Sequence, residues 1–301
     1  MKRVRIKQVD TFTSVPFAGN PIAVVTEGDE LTEDEMVKIA REMDLQTAFI
    51  LKPTERKADF KVRFYTPRTE VNLLSHASIA AVHTLVEEAR FFPKGPVMNI
   101  AQQTKAGILP VEIHCRGAEI RKIMITQVKP VFAPFKGSLQ RLADVLGINT
   151  SEITGAGFPV EIVSTSLPKL MVPLKHLSAL QEMKPDFNSL AQLDEDIGAC
   201  THVFTLETIS PIAVVHTRSF APKLGILEEV ASGIANGALG AYLVKNKIIR
   251  GNSPLTLIAE QGHVLNRPSE IIIELHFTDT EVHLIKVGGK AVTVFEGEIF
   301  L

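Results

Sequence analysis

Apolar and polar residues alternate from Val4 to Val9, and a short apolar run follows at Ile22–Val25 beyond the turn cluster Pro16-Phe-Ala-Gly-Asn-Pro21. This pattern predicts strand, loop, strand. Thr32 and Glu35 precede Met36, Ile39, Ala40 and Met43, a capping box leading into an amphipathic helix that ends near Asp44. Strands are predicted at Thr47–Lys52 and Ala58–Tyr65 across the connection Pro53-Thr-Glu-Arg-Lys57, with a polar loop at Thr66–Glu70. From His76 to Ala89 the chain carries Ala77, Ile79, Ala80, Ala81, Leu85 and Val86. A helix there is apolar almost all round and has to be buried. Further strands are predicted at Val97–Ile100, Gly107–His114 and Ile120–Val128, and the proline-bounded segment Pro130–Pro134 reads as a crossover between domains.

The second half repeats this layout. It offers a capped helix around Leu139–Leu146, strands at Val160–Val163 and Leu170–Val172 with Pro173 closing the latter, and strands at His202–Thr205 and Ile212–Val215. A loop from Arg218 to Glu229 then leads into a Gly/Ala-rich helix over Ser232–Val244. In each half a polar loop feeds the start of a helix too apolar to face water, first at Ser75-His-Ala-Ser78 and then at Ser232-Gly-Ile-Ala-Asn236. The first turn of a helix has N–H groups without backbone partners and about half a positive charge from its dipole, so it holds carboxylate or phosphate readily. Small residues at Ser75, Ala77, Ser78, Ser232 and Gly233 let a ligand come close to both backbones. Ser75 and Ser232 read equally as ordinary N-caps. If both starts face one hollow, they can grip one anion together.

Length sets the scale of this doubling, since 301 residues exceed one usual core and predict two domains of roughly 150 residues each. The expected division is residues 1–128, completed by a C-terminal strand at 288–301, and residues 129–287. A formal net charge of −2, with no basic cluster interleaved with aromatics, argues against a nucleic-acid partner. No apolar run approaches the roughly 18 residues that span a bilayer, and Met1-Lys-Arg-Val-Arg-Ile lacks the form of a secretory signal. A cytoplasmic protein without a membrane partner is the expectation. Cys115 and Cys200 stand far apart without CxxC spacing and read as small buried hydrophobes. His114, His202, His216, His276 and His283 lie in apolar strand patterns without metal-ligand spacing, so each reads as a satisfied sheet residue, and His83 as a packing one. No metal site is expected. Gly288-Gly-Lys290 lacks the frame of a phosphate loop and reads as a hairpin turn.

Several ordered segments carry a resemblance. They are Val9-Asp-Thr-Phe-Thr-Ser-Val-Pro-Phe-Ala-Gly-Asn-Pro-Ile-Ala-Val-Val25, Ala40-Arg-Glu-Met43 leading into Thr47-Ala-Phe49, and Phe64-Tyr-Thr-Pro-Arg-Thr-Glu-Val71. Later come Ser75-His-Ala-Ser78, Arg218-Ser-Phe-Ala-Pro222, Gly225-Ile-Leu-Glu-Glu229, Glu260-Gln-Gly262 and Asn266-Arg-Pro-Ser269. Nearly end to end, the chain resembles the PhzF-like family, relatives of diaminopimelate epimerase. The resemblance implies an α+β fold of two pseudo-repeated lobes, each a curved, mostly antiparallel sheet around a central helix. It further implies a homodimer and a cofactor-independent isomerase acting on a small anionic metabolite in a cleft between the lobes.

In the family's isomerases a Glu after Ala-Arg-Glu-Met is the general acid/base, a Gly-His pair starts the first central helix, and an Asp precedes Pro-x-Thr-Gly-Ser. The resemblance carries these roles onto Gln46, Ser75-His76 and Glu229, the last followed by Val230-Ala-Ser-Gly-Ile234. The thiol positions of the true epimerases correspond to Leu74 and Ala231, which excludes a two-cysteine racemisation. The expected catalytic set is thus Gln46, His76 and Glu229, with the ligand held near Ser75, Ala77, Ser78, Ser232, Gly233 and Ile234. Asp44 is a fallback carboxylate, and Glu228 reads as structural. Unlike a carboxylate, a neutral amide cannot cycle protons near pH 7, and losing a general base removes a factor of about 10² to 10⁴. Gln46 therefore favours a second expectation beside the enzyme: a non-catalytic metabolite binder that has kept its anion site.

Overall fold

The computed structural model describes residues 2–117 and 119–301; Met1, where the N-terminal reading begins, lies outside them. The chain divides into two compact units, Met1–Thr126 with Gly288–Leu301, and Gln127–Val287. Both are α+β.

The first unit contains β1 (Arg3–Thr11), β2 (Asn20–Val25), α1 (Glu33–Met43), β3 (Thr47–Leu51), β4 (Phe60–Tyr65), β5 (Glu70–Val71), α2 (Ser75–Glu87), β6 (Val97–Thr104), β7 (Gly107–Arg116) and β8 (Glu119–Gln127). β1 runs antiparallel to β2, β2 parallel to β3, β3 antiparallel to β4, β4 parallel to β6, and β6 antiparallel to β7, while β5 folds back on β4. Strand alternation sorts side chains between two layers. Val4, Ile6, Ala23, Val25 and Phe49 face Met36, Ile39 and Ala40 of α1. The opposite face meets α2, which packs on β1, β2, β3 and β4. That helix buries Ala77, Ile79, Ala80, Ala81, Val82 and Leu85 completely or nearly so, as its lack of a polar face demands. At the start of α1 the Thr32–Glu35 capping box forms in full, and Asp44 ends the helix in the left-handed conformation.

The second unit contains β9 (Val131–Pro134), α3 (Leu139–Leu146), α4 (Thr150–Thr154), β10 (Glu161–Ser164), β11 (Pro168–Pro173), α5 (Leu177–Glu182), α6 (Phe187–Ile197), β12 (Cys200–Thr205), β13 (Val215–Ala221), β14 (Ile226–Glu229), α7 (Gly233–Lys245), β15 (Leu255–Gln261), β16 (Ser269–Thr278) and β17 (Glu281–Gly289). From β10 through β11, β12, β13 and β15 to β16, the strand relations are again antiparallel, parallel, antiparallel, parallel, antiparallel, with β14 folded back on β13. Leu170, Val172, Val203 and Phe220 face an outer layer built from α3, α5 and α6, including Leu142, Leu146, Leu180, Leu190 and Leu193. The inner face receives α7, whose Tyr242 ring meets Phe204 edge-on at 5.5 Å. The last strand, β18 (Ala291–Phe300), completes the first unit by pairing antiparallel with β1.

Several sequence expectations change, among them Gly288-Gly-Lys290, whose two glycines lie in strand β17 rather than in a hairpin turn. Pro130–Pro134 is not a crossover: Val131–Pro134 forms β9 and pairs with β10, the prolines standing at its limits, where a missing N–H is tolerated. The strand expected at Ile212–Val215 instead runs from Val215 to Ala221, with Ile212 exposed. Four consecutive polar residues, His216 to Ser219, disguise it. All four are buried, and each finds a polar partner, so the strand reads as a loop although it lies in the core.

One local module occurs twice. Arg63 on β4 forks onto Glu70 of β5 with bonds of 2.8 and 2.9 Å, and its guanidinium stacks on Tyr65. Arg218 on β13 forks onto Glu228 of β14 with two bonds of 2.8 Å and stacks on Phe220. Each fork ties a short strand to its neighbour immediately before a central helix, the bidentate geometry fixing direction as well as distance.

In the outer layer of the second unit Asp194 is fully buried; its Oδ1 accepts from Thr201 Oγ1 at 2.8 Å, while Oδ2 has no hydrogen-bond partner. Desolvation pushes its carboxyl up to about 7, against the smaller opposing pull of Thr201, Lys223 and Lys169. A raised carboxyl pKa favours the folded state most at low pH, and that contribution is lost as pH rises from about 4 through about 7. Asp194→Asn is therefore expected to be more stable than wild type by about 2 kcal/mol at pH 8, the gap closing toward pH 4, as read by urea unfolding at both pH values. In the first unit, a Cβ on Gly288 would stand 1.9 Å from the Ile123 carbonyl oxygen. Gly288→Ala is expected to cost about 3 kcal/mol or more, measurable in the same unfolding experiment.

Candidate functional site

Each unit gathers polar groups at the start of its central helix. In the first, Gln46 sits between the left-handed Asp44 and the first residue of β3; its backbone carbonyl accepts from Ala23 N at 3.0 Å. Its Oε1 lies 2.5 Å from His76 Nε2. An amide oxygen only accepts, so in this contact His76 Nε2 is the donor. His76 is the second residue of α2. The N-cap of this helix is Leu74, which provides no side-chain cap, and Ser75 is already helical. The cap reading of Ser75 is thereby corrected: its hydroxyl stands one position too late to serve as N-cap. Ser75 and Ala77 are buried in the first turn of α2, whose N-cap residue has no side chain able to accept from it. Ser78 is committed elsewhere, because both its N–H and its hydroxyl donate to the Leu74 carbonyl, at 3.0 and 3.3 Å.

In the second unit, Ser232 is the N-cap of α7 and its Oγ accepts from Ala235 N at 3.4 Å. Gly233 is buried and Ile234 partly so. The segment that carries Glu229 into this helix is held by one amide. Gln261 Nε2 donates to the Glu229 carbonyl at 2.8 Å, while Gln261 Oε1 accepts from Ser232 N at 3.2 Å and from Asn236 Nδ2 at 2.8 Å. Gln261 and Asn236 are fully buried. The amide brackets residues 229 to 232 from both sides, which fixes where the Glu229 side chain starts. Ser219 Oγ donates to Glu229 Oε2 at 3.1 Å. Glu228 faces the other way, into its fork with Arg218.

Because β5 and β14, like α2 and α7, occupy matching places in the two sheets, the two helix starts align residue by residue. Glu70 matches Glu228, Val71 matches Glu229, Leu74 matches Ser232, and His76 matches Ile234. The titratable groups therefore occupy different positions of the repeat: His76 lies inside the helical turn of one unit, Glu229 at the strand end of the other.

The phenazine biosynthesis-like protein family model matches residues 9–297. The chain belongs to the PhzF family. Among its relatives are an uncharacterized isomerase of Bacillus subtilis, 37% identical over 97% of each chain, and one of Clostridium acetobutylicum, 35% identical over 100% of this chain and 99% of that one. The PhzF-family phenazine biosynthesis protein of Bacillus anthracis superposes with a TM-score of 0.91 at 30% identity, covering all of both chains. This PhzF-family chain thus has the fold of an isomerase-type enzyme. No helix among its described residues is long and apolar enough to cross a membrane.

Sequence reasoning about this family member misses the residues that hold the segments entering the two central helices. Gln261 stands in the Glu260-Gln-Gly262 segment that carries the resemblance, but no local pattern shows that it reaches back to residue 229. His202 overturns its reading as a satisfied sheet residue, because it is fully buried and neither ring nitrogen has a hydrogen-bond partner. His216 bonds Glu260 Oε1 at 2.7 Å, and Glu260 also accepts from Ile209 N and Ser210 N at 2.6 and 2.9 Å. Burial raises the Glu260 carboxyl pKa, but these bonds outweigh it and hold the carboxyl below its usual range. Gln261→Leu is expected to leave Ser232 N, Asn236 Nδ2 and the Glu229 carbonyl unpaired and to destabilise the protein by roughly 3 kcal/mol; the check is its midpoint in urea against wild type.

Proposed function

We propose that this PhzF-family chain is a cofactor-independent isomerase that moves a proton on a small carboxylate or amino-acid-like metabolite, acting in the cytoplasm as a homodimer. The observation that carries this reading is the His76–Gln46 contact. It holds an imidazole, a side chain able to carry a proton, at the start of α2 with its Nε2 donating to the Gln46 amide oxygen. Glu229, anchored through Gln261 and Ser219, supplies the second proton carrier of the same reaction. N–H groups near Ser75 and Ala77, and near Gly233 and Ile234, are the donors for a substrate carboxylate and for the charge that develops when a C–H bond opens, the Ser232 N–H being committed to Gln261 Oε1. Ser78 is left out of the binding set because both of its donors are spent within α2. Gln46 orients the ring and cannot relay its proton.

That last property supports a second reading, a metabolite-binding paralogue that has lost turnover with the family Glu. The two readings separate in D₂O, with small carboxylates and amino acids offered as substrates and incorporation followed by NMR. The isomerase incorporates deuterium, Glu229→Gln lowers the rate by about 10² or more, and Gln46→Glu raises it by restoring a carboxylate beside His76. A protein that gains several degrees in Tm with a ligand but incorporates no deuterium is the binder, and rejects the enzyme.

A further inference from the structure

Behind Glu229 the inner face of the second sheet carries a row of polar side chains that the proposed reaction does not use. His202 on β12 is in register with Ser219 on β13, and Ser219 with Glu229 on β14. Lys169 joins from β11, two residues before Met171, which is in register with His202. The Lys169 side chain is completely buried; its Nζ donates to Ser219 Oγ at 3.2 Å and stands 3.6 Å from Glu229 Oε1, while the Glu229 side chain is 19% exposed. The pair thus runs from a sealed cation to a carboxylate that still reaches solvent. His202 lies beside them. Desolvation, reinforced by the Lys169 charge, brings its pKa down to about 3. The ring is therefore neutral throughout the physiological range and does not compete for the carboxylate. Cys200, whose thiol burial pushes up to about 11, also feels the charges of Lys169, Asp194, Lys223 and Glu229. Glu228, the adjacent acid, is neutralised by Arg218 on the opposite face.

A buried ammonium is tolerated where an anion stays next to it, and an adjacent cation favours the ionised form of a carboxyl. We propose that Lys169 is a positioning residue that keeps Glu229 ionised, so that Glu229 is the group that accepts the proton in the resting protein. This deepens the proton-transfer reading above and rests on it. In the step, the substrate C–H bond breaks, its electron pair remains on the substrate as an enolate-type anion, and the proton forms an O–H bond on Glu229. Glu229, its O–H exchanging with solvent, then returns a proton to another carbon of the enolate-type anion: the new C–H bond forms as the O–H bond breaks, and the carboxylate is regenerated. The family pattern places its acid/base carboxylate where this chain has Gln46. Here the base is Glu229 of the second unit, and Lys169 fixes its charge.

The test follows the Glu229 carboxyl by ¹³C NMR titration of the whole protein, with glutamate labelled at Cδ and Glu229→Gln used to assign the signal. In Lys169→Met the midpoint is expected to rise by about one pH unit or more, the acidic limb of the D₂O exchange profile moving up with it. Lys169→Arg is expected to restore both, which loss of packing alone would not predict. An unchanged midpoint in folded Lys169→Met overturns the proposal. If that variant does not fold, Ser219→Ala reads the same carboxylate, since removing the bridging hydroxyl should raise the midpoint by a smaller amount, and no rise overturns the proposal equally. A shifted midpoint in a protein whose wild type catalyses no exchange supports the control by Lys169 and rejects the enzyme reading, so the two failures are distinguishable.

Discussion

Each unit is organised around a helix that has no side to show to water. α2 and α7 each run for thirteen residues without a polar stripe, so strands have to surround them, and the strands need a second hydrophobic layer, α1 in one unit and α3 to α6 in the other. The consequence for chemistry lies at the helix start. A helix enclosed along its length also begins in an enclosed place, where N–H groups without carbonyl partners need an acceptor. At α7 Ser232 supplies part of that acceptor. At α2 Leu74 does not, and the polar groups collected there are His76 and, through it, Gln46.

The repeated fork of Arg63 with Glu70 and of Arg218 with Glu228 shows how one scaffold element serves two different helix starts. Both forks lock the strand that delivers the chain to the helix, and both cover the guanidinium with an aromatic ring two residues along the same strand. Once that delivery is fixed, neighbouring positions are free to diverge. Val71 against Glu229, and His76 against Ile234, are the result: one half presents an imidazole from within the helical turn, the other a carboxylate from the strand end. Buried polar groups are acceptable in such numbers only because they are paired across strands, as Gln261 is with the 229–232 segment and Lys169 with Ser219 and Glu229.

What could be read from the chain in advance were the features set by local periodicity and chemistry. The capping box at Thr32 and Glu35, the two helices without polar faces, the doubling of the layout and the family of the chain all followed from residue order, because each depends on neighbours within a few positions or on ordered motifs. The strand at Val215–Ala221 did not, since His216, Thr217, Arg218 and Ser219 look like loop until their partners on β14, β15 and α7 are known. The same holds for β9, whose prolines suggest a connection until β10 is found beside it.

Residue order alone, then, determined which segments had to be buried and which residue types stand near each helix start, because burial of an apolar helix and the chemistry of Gln, His and Glu are properties of the side chains themselves. Only the tertiary structure decided which of them touch. The Gln46–His76 contact spans two elements of one unit, Gln261 reaches residue 229 across a parallel strand pair, and Lys169 meets Glu229 through the register of four strands. Hydrogen bonds and ion pairs act over about 3 to 4 Å, a distance that sequence separation does not measure and that strand pairing sets.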